Sequence, residues 1–382
     1  MTRTGGTADR RLGAVLGLAV GDAVGWPARV HRSRTLPGWT RRLRRELDAF
    51  AETESVTTLP VPFALNQDPT PLRLGPSDDA EWVAWTLLRD AAEVPAGRAE
   101  VHRAWRTAVR DGTVPVGRIA VAAALDNLRR GIAPPDSGRR NPHHFDDAAA
   151  VRAVAFGVRT PSPADAVRYA EWDAEVTHAG DGVAAARAVA AAVATAVTRT
   201  PVPSGAAAPP GAAVPAVPGE AAGFGRAAGT VAAGGIGAAV LAALGAELPA
   251  DRLPGRTLRR ALELTAGVDS PAAAVPVLDQ LVDRVYCYGC AAAQTVPVAA
   301  ALTAVALRSG TPTVDTILAA AALPSLADSA PALTGALLGA VRGAAEIPPT
   351  WTDRCRTLAG CCDPVLAGVD LLDTVERTIR DQ

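Results

Sequence analysis

The 382-residue sequence contains no lysine; all 38 of its basic residues are arginine. Beside its many Ala, Gly and Pro residues, this bias reads as codon usage in a GC-rich genome rather than as selected chemistry. Charge of one sign is also missing. The formal net charge is −1, so no global field draws the chain towards nucleic acid or an anionic membrane surface. Aromatic residues make up only 4%, and no alternating apolar–polar run survives inspection, which argues against a sheet-built core. The cysteines number five, an odd count clustered late in the chain, which is no disulfide framework. Cys287-Tyr288-Gly289-Cys290 is a single CxxC without a second pair, and His143-His144 has no other ligand nearby, so both read as ordinary residues before metal sites. No export signal is convincing either: the apolar run Gly13 to Val20 meets Asp22 without a clear cleavage site. A cytoplasmic location is the expectation.

What the chain does have is alanine, the strongest helix former, within an apolar content of 49%. Helical patterns run over about 10–25, 78–90, 98–110, 115–130, 146–158, 163–171 and 181–199. They resume at about 227–247, 255–266, 273–284, 291–309, 313–322, 331–345 and 364–380. Ala227 to Ala246 is the longest apolar run and has about the length of a membrane span, but its glycines favour a buried helix. Between His31 and Pro76 the pattern breaks down around an arginine cluster at 41, 42, 44 and 45. Six prolines fall between Pro201 and Pro218, and 199–225 reads as a Pro/Ala/Gly-rich mobile loop. Motifs on both sides of that loop belong together, so the expectation is one all-α domain, a compact orthogonal helical bundle spanning 1–382.

Four segments carry chemistry. The first is Gly13-Ala-Val-Leu-Gly-Leu-Ala-Val-Gly-Asp22-Ala-Val-Gly25. The second, Gly75-Pro-Ser77-Asp78-Asp79-Ala80-Glu81, places a hydroxyl and two carboxylates at a helix start. Standing alone it is a helix cap with acids complementing the dipole. The third is Asp173-Ala-Glu-Val-Thr177-His178 before an Ala-rich helix. The fourth is Leu326-Ala327-Asp328-Ser329 followed by Gly335-Ala-Leu-Leu-Gly-Ala, where Asp328-Ser329 with Pro331 also makes a good cap. A weaker fifth is Asp147-Ala-Ala-Ala-Val-Arg152.

In content and order these segments resemble the ADP-ribosylglycohydrolase superfamily. The second is similar to that family's Thr-Asp-Asp-Thr metal motif, the third to its Asp-Ala-x-x-Thr-His segment and the fourth to its closing Asp-Thr-Asp-Thr motif. The resemblance implies an all-α fold, Mg²⁺ held by carboxylates, and cleavage of a ribosyl bond by metal-assisted chemistry. On it, Asp78 and Asp79 are the expected catalytic residues, and Ser77, Asp78, Asp79, Asp328 and Ser329 the expected metal ligands. Arg29, His178 and Trp26 are expected to bind substrate. The implied partner is an ADP-ribosyl or other ribosyl small molecule, or an ADP-ribosylated protein, with no nucleic acid and no membrane.

Three departures reshape that expectation. The family's acid after the first helix falls on Arg29, which cannot act as a base. Arg29 either grips a phosphate or carboxylate of the ligand or is a solvated arginine on a diverged loop. Asp22 and Glu81 are the acids nearest to replacing the lost one, unless they are cap and helix groups. The first acid of the closing motif falls on Leu326, its intervening hydroxyl on Ala327, and the last Thr of the early motif on Ala80. One Mg²⁺ rather than two is therefore expected. The activity implied is a Mg²⁺-assisted glycohydrolase cleaving an N- or O-ribosyl bond; the alternative is a catalytically weakened ADP-ribose- or nucleotide-binding protein on the same scaffold.

Overall fold

The computed structural model describes residues 6–25, 53, 75–89, 97–115, 117–160, 162–199, 235–283, 289–323 and 325–380. Trp26, Arg29, the arginine cluster and nearly all of the 199–225 loop lie outside them, as do Cys287 and the 227–234 part of the long apolar run. The described residues contain helices joined by turns and no strand.

The first half comprises α1 (Thr7–Gly25), α2 (Asp78–Arg89), α3 (Arg98–Asp111), α4 (Ile119–Arg129), the short α5 (Asp136–Arg139), α6 (Ala148–Arg159), α7 (Pro163–Thr177) and α8 (Asp181–Thr198). The second half comprises α9 (Ile236–Ala246), α10 (Leu253–Thr265), α11 (Pro271–Leu278), α12 (Ala292–Ser309), α13 (Thr313–Ala321), α14 (Ala330–Arg342), α15 (Pro349–Cys355) and α16 (Leu371–Arg380). The all-α expectation is met.

Local chemistry explains the boundaries. Ser162 and Ser270 accept the backbone N–H groups of Asp165 and Ala273, and each is followed by a proline preset for a first helical turn. The expected helix over 364–380 begins only at Leu371, because Gly368 turns the chain at φ +80° after a single 3₁₀ turn at Pro364–Leu366. In the same way α4 starts at Ile119 rather than 115, behind Gly117 at φ +119°. The pattern ending near 171 instead continues to Thr177, so the Thr177-His178 pair closes one helix and precedes the next, the Ala-rich α8.

Alanine dominance makes the interior tight. On α1 the glycines recur every fourth residue, at 13, 17, 21 and 25, and form a stripe along one face. That stripe meets α14 running antiparallel. A Cβ at Gly17 would fall on the Gly335 carbonyl, one at Gly13 on the Gly339 carbonyl, and one at Gly25 on the Ala327 carbonyl. Backbone thus touches backbone along most of both helices, and this contact brings the start of α14, with Asp328 and Ser329, beside the end of α1. The helix α8 is long and apolar enough to cross a bilayer, yet 72% of it is buried inside the protein. It packs against α6, α7 and α9 as a central core element.

Candidate active site

The start of α2 is set by Asp22, the last acid on α1. Its carboxylate accepts the Ser77 hydroxyl and the Ser77 amide, both at 2.6 Å, and the Ala80 amide at 3.1 Å. Asp22 is therefore the cap of α2, supplying the acceptor that the helix N-terminus needs. Glu81 turns the other way and accepts the backbone amides of Cys361 (2.6 Å), Cys362 (2.7 Å) and Asp363 (3.3 Å). Burial pushes its pKa up, against the pull of those amides. These two acids do structural work: one starts α2 and the other pins the loop before α16.

Asp78 and Asp79 point into the interior, where they meet Arg118. This residue sits at the N-cap position of α4, and its side chain is only 1% exposed. Its Nε lies 2.9 Å from Asp78 Oδ2. Its Nη1 donates to Asp147 Oδ1 at 3.3 Å and to Asp328 Oδ2 at 3.2 Å. Its Nη2 donates to Asp79 Oδ1 and, at 2.6 Å, to Ser329 Oγ. Of the five N–H donors of a guanidinium, the four on Nη1 and Nη2 bond oxygens here, and Nε pairs with Asp78 by charge without a hydrogen bond. Burial disfavours the charge, but Asp79, Asp78, Asp328 and Asp147 outweigh it and push the Arg118 pKa well up.

Ser329 occupies the N-cap position of α14 without making a capping bond; its hydroxyl serves Arg118 instead. Asp147 also accepts the Thr295 hydroxyl at 2.8 Å. Burial pushes its carboxyl up to about 7, with Asp146 and Asp328 adding to the rise and Arg118 opposing it.

Next to Asp147 begins a polar chain across the core. Asp146 Oδ1 lies 2.6 Å from His178 Nε2, and His178 Nδ1 lies 2.7 Å from Thr177 Oγ1. Thr177 Oγ1 accepts from Arg152 Nη2 at 2.9 Å, and Arg152 Nε donates to Asp173 Oδ2 at 2.9 Å. Asp173 Oδ1 accepts from Trp105 Nε1 at 2.7 Å and from Arg89 at 3.1 Å. Around these cations stand three indoles. The Arg152 guanidinium lies 5.2 Å from the Trp105 ring centre, and that of Arg89 lies 4.5 Å from Trp85. Trp82 stacks on Trp105 at 6.5 Å. Burial works against the Asp173 charge, but Arg152 and Arg89 hold its pKa below the ordinary 3.8. Burial lowers the His178 pKa although Asp146 opposes the shift.

Four of the five expected metal ligands therefore converge. Asp78, Asp79, Asp328 and Ser329 do so around one point, whereas the Ser77 hydroxyl is turned to Asp22. His178, expected at the ligand, is fully buried with both ring nitrogens engaged by protein groups. Trp26 and Arg29 fall outside the described residues. Sequence reading missed Arg118 as the centre of the cluster, because a single arginine between Gly117 and Ile119 matches no motif. Asp147 was visible only as the weaker fifth segment. The oxygens are of the hard type that Mg²⁺ takes, but one oxygen of each carboxylate faces a guanidinium that does not give up its charge. A dication drawing on those same oxygens would stand against that fixed positive charge.

Comparison with known proteins places the fold. A solved structure titled as an ADP-ribosylglycohydrolase-related protein complex superposes with a TM-score of 0.55, covering 98% of each chain at 19% identity. No curated protein matches the sequence. The family model for ADP-ribosylglycohydrolase matches residues 3–380, nearly the full length and every element of the site, and this chain therefore belongs to the ADP-ribosylglycohydrolase family.

Proposed function

We propose that the chain is a glycohydrolase that cleaves an N- or O-ribosyl bond, in an ADP-ribosylated protein or in a small nucleotide or nucleoside. The observation that carries this reading is the convergence of Asp78, Asp79, Asp147, Asp328 and Ser329, drawn from three distant segments, on one buried point. Burying that many acids costs stability, and a scaffold with no ligand gains nothing by it. Within the reading, Asp147 is the group able to take or give a proton near neutrality, as an acid–base catalyst must. Arg118 fixes the carboxylates and supplies the local positive charge. Asp78 and Asp79 hold Arg118 in place, and Arg29 and Trp26 remain the proposed substrate contacts, whereas His178 is taken up by Asp146 and Thr177.

A second reading has its own support. Both Nη groups of Arg118 are engaged by protein oxygens, and the family's acid after α1 is Arg29, so the site also suits a protein that binds ADP-ribose or a related nucleotide and cleaves it slowly or not at all. Calorimetric titration of ADP-ribose, with and without Mg²⁺ and beside Asp78→Ala, paired with a turnover panel of ribosides and nucleotides, decides between them. Turnover of any member that is lost in Asp78→Ala supports the hydrolase. Binding without turnover supports the second reading. Neither binding nor turnover, with or without Mg²⁺, sinks both.

A further inference from the structure

We infer that Arg118 is a resident cation standing in the place of a divalent metal, so that the carboxylate cluster assembles and persists without metal. The inference rests on side-chain geometry alone and does not depend on the ribosyl reading. Asp78, Asp79, Asp147 and Asp328 come from segments up to 250 positions apart (78 to 328), and all four face the one guanidinium between them. Mg²⁺ would do this as a point charge demanding near-ideal octahedral oxygens. Arg118 does it as a planar fork, with Nε serving Asp78, Nη1 serving Asp147 and Asp328, and Nη2 serving Asp79 and Ser329.

Two further observations agree. The fork enters from the N-cap position of α4, whose own backbone is extended at φ −110° and ψ 129°, so the side chain reaches inward without backbone strain. The position before Asp328 where a second metal would need a carboxylate is Leu326, fully buried among apolar groups and unable to serve a metal. The chain thus lacks an acid that a second divalent ion would want and contains a cation that a first would have to displace. Displacement is disfavoured because the guanidinium cannot neutralise itself by losing a proton, and two cations sharing these oxygens repel at short range in a poorly solvated interior.

The test uses the full chain, with Mn²⁺ as a spectroscopic stand-in for hard-oxygen sites. Free Mn²⁺ counted by electron paramagnetic resonance should show no stoichiometric binding by the native protein at millimolar metal. Its thermal midpoint should be unmoved by EDTA or by Mg²⁺. Arg118→Ala should lower the midpoint, gain a site for one Mn²⁺ per chain, and recover part of the midpoint with Mn²⁺ or with free guanidinium ion. Adding Asp328→Asn to that variant should remove the gained site. Stoichiometric Mn²⁺ binding by the native protein that is lost in Asp328→Asn overturns the inference. So does a folded Arg118→Ala variant that binds no Mn²⁺. Should Arg118→Ala fail to fold, Arg118→Gln replaces it and the native titration still decides.

Discussion

The core holds two charge clusters that are inverse images of one another. Around Arg118, one cation is shared by four carboxylates and a hydroxyl. Around Asp173, one carboxylate is shared by two guanidiniums and an indole N–H. In both the central group is buried, yet they differ in what stands behind the partners. The cations of the Asp173 cluster lie against the faces of Trp82, Trp85 and Trp105, which attract positive charge and exclude water. Nothing comparable cushions a carboxylate. The acids around Arg118 depend on the guanidinium and on single donors such as the Thr295 hydroxyl. The first cluster is therefore the more dependent on its centre, and the second the more tolerant of losing it.

Removing each centre tests that asymmetry. Arg118→Ala leaves several carboxylates facing each other in the interior and should cost about 3–5 kcal/mol in urea unfolding, the range for stranding one side of a buried ion cluster. Asp173→Asn keeps an acceptor for Trp105 or Arg152 and leaves both guanidiniums on their rings. It should cost about 2 kcal/mol, the scale of charge-assisted hydrogen bonds lost. Equal losses in the two variants would break the comparison.

The pH responses should also run in opposite directions. Asp147 has its pKa raised to about 7 from 3.8, so the folded state holds a proton that the unfolded chain releases. Stability should fall as pH rises across that interval and level off above it. Asp173 has its pKa lowered from 3.8, so its contribution is complete above that value and is lost as pH falls below it. Relative to the native protein, Asp147→Asn should flatten the neutral-side slope of urea midpoint against pH, and Asp173→Asn the acid-side slope. Both variants acting on the same side would refute the assignment. The smallest effect expected is from Thr295→Val, which removes one neutral donor from Asp147 and should cost about 1 kcal/mol by the same unfolding measurement.

Much of the fold was legible because alanine-rich helical periodicity and glycine or proline punctuation are local signals. Two helix starts that differed, at 119 and 371, turn on glycines whose positive φ is a property of the folded backbone. The convergence of Asp78, Asp79, Asp328 and Ser329 was legible through the order of motifs. The partner between them was not, since Arg118 is defined by where its side chain ends rather than by any neighbour in sequence. Ser77, Asp22 and His178 show the same limit. Their residue types suit ligation equally well as capping or core hydrogen bonding, and only the three-dimensional partners decide.

The glycine contact between α1 and α14 also carries a consequence for the order in which the molecule can be built. The first helix leaves the ribosome more than 300 residues before its partner, since Gly17 and Gly335 must meet. Until α14 follows, the glycine face of α1 has nothing to close on, and Asp78 and Asp79 lack Asp328 and Ser329. Assembly of the site is thus a late, long-range event, reached after the loop-closure entropy of nearly the full chain has been overcome. A nascent or C-terminally truncated chain that stops short of α14 lacks Asp328 and Ser329, so the full charge cluster waits for the last quarter of the molecule.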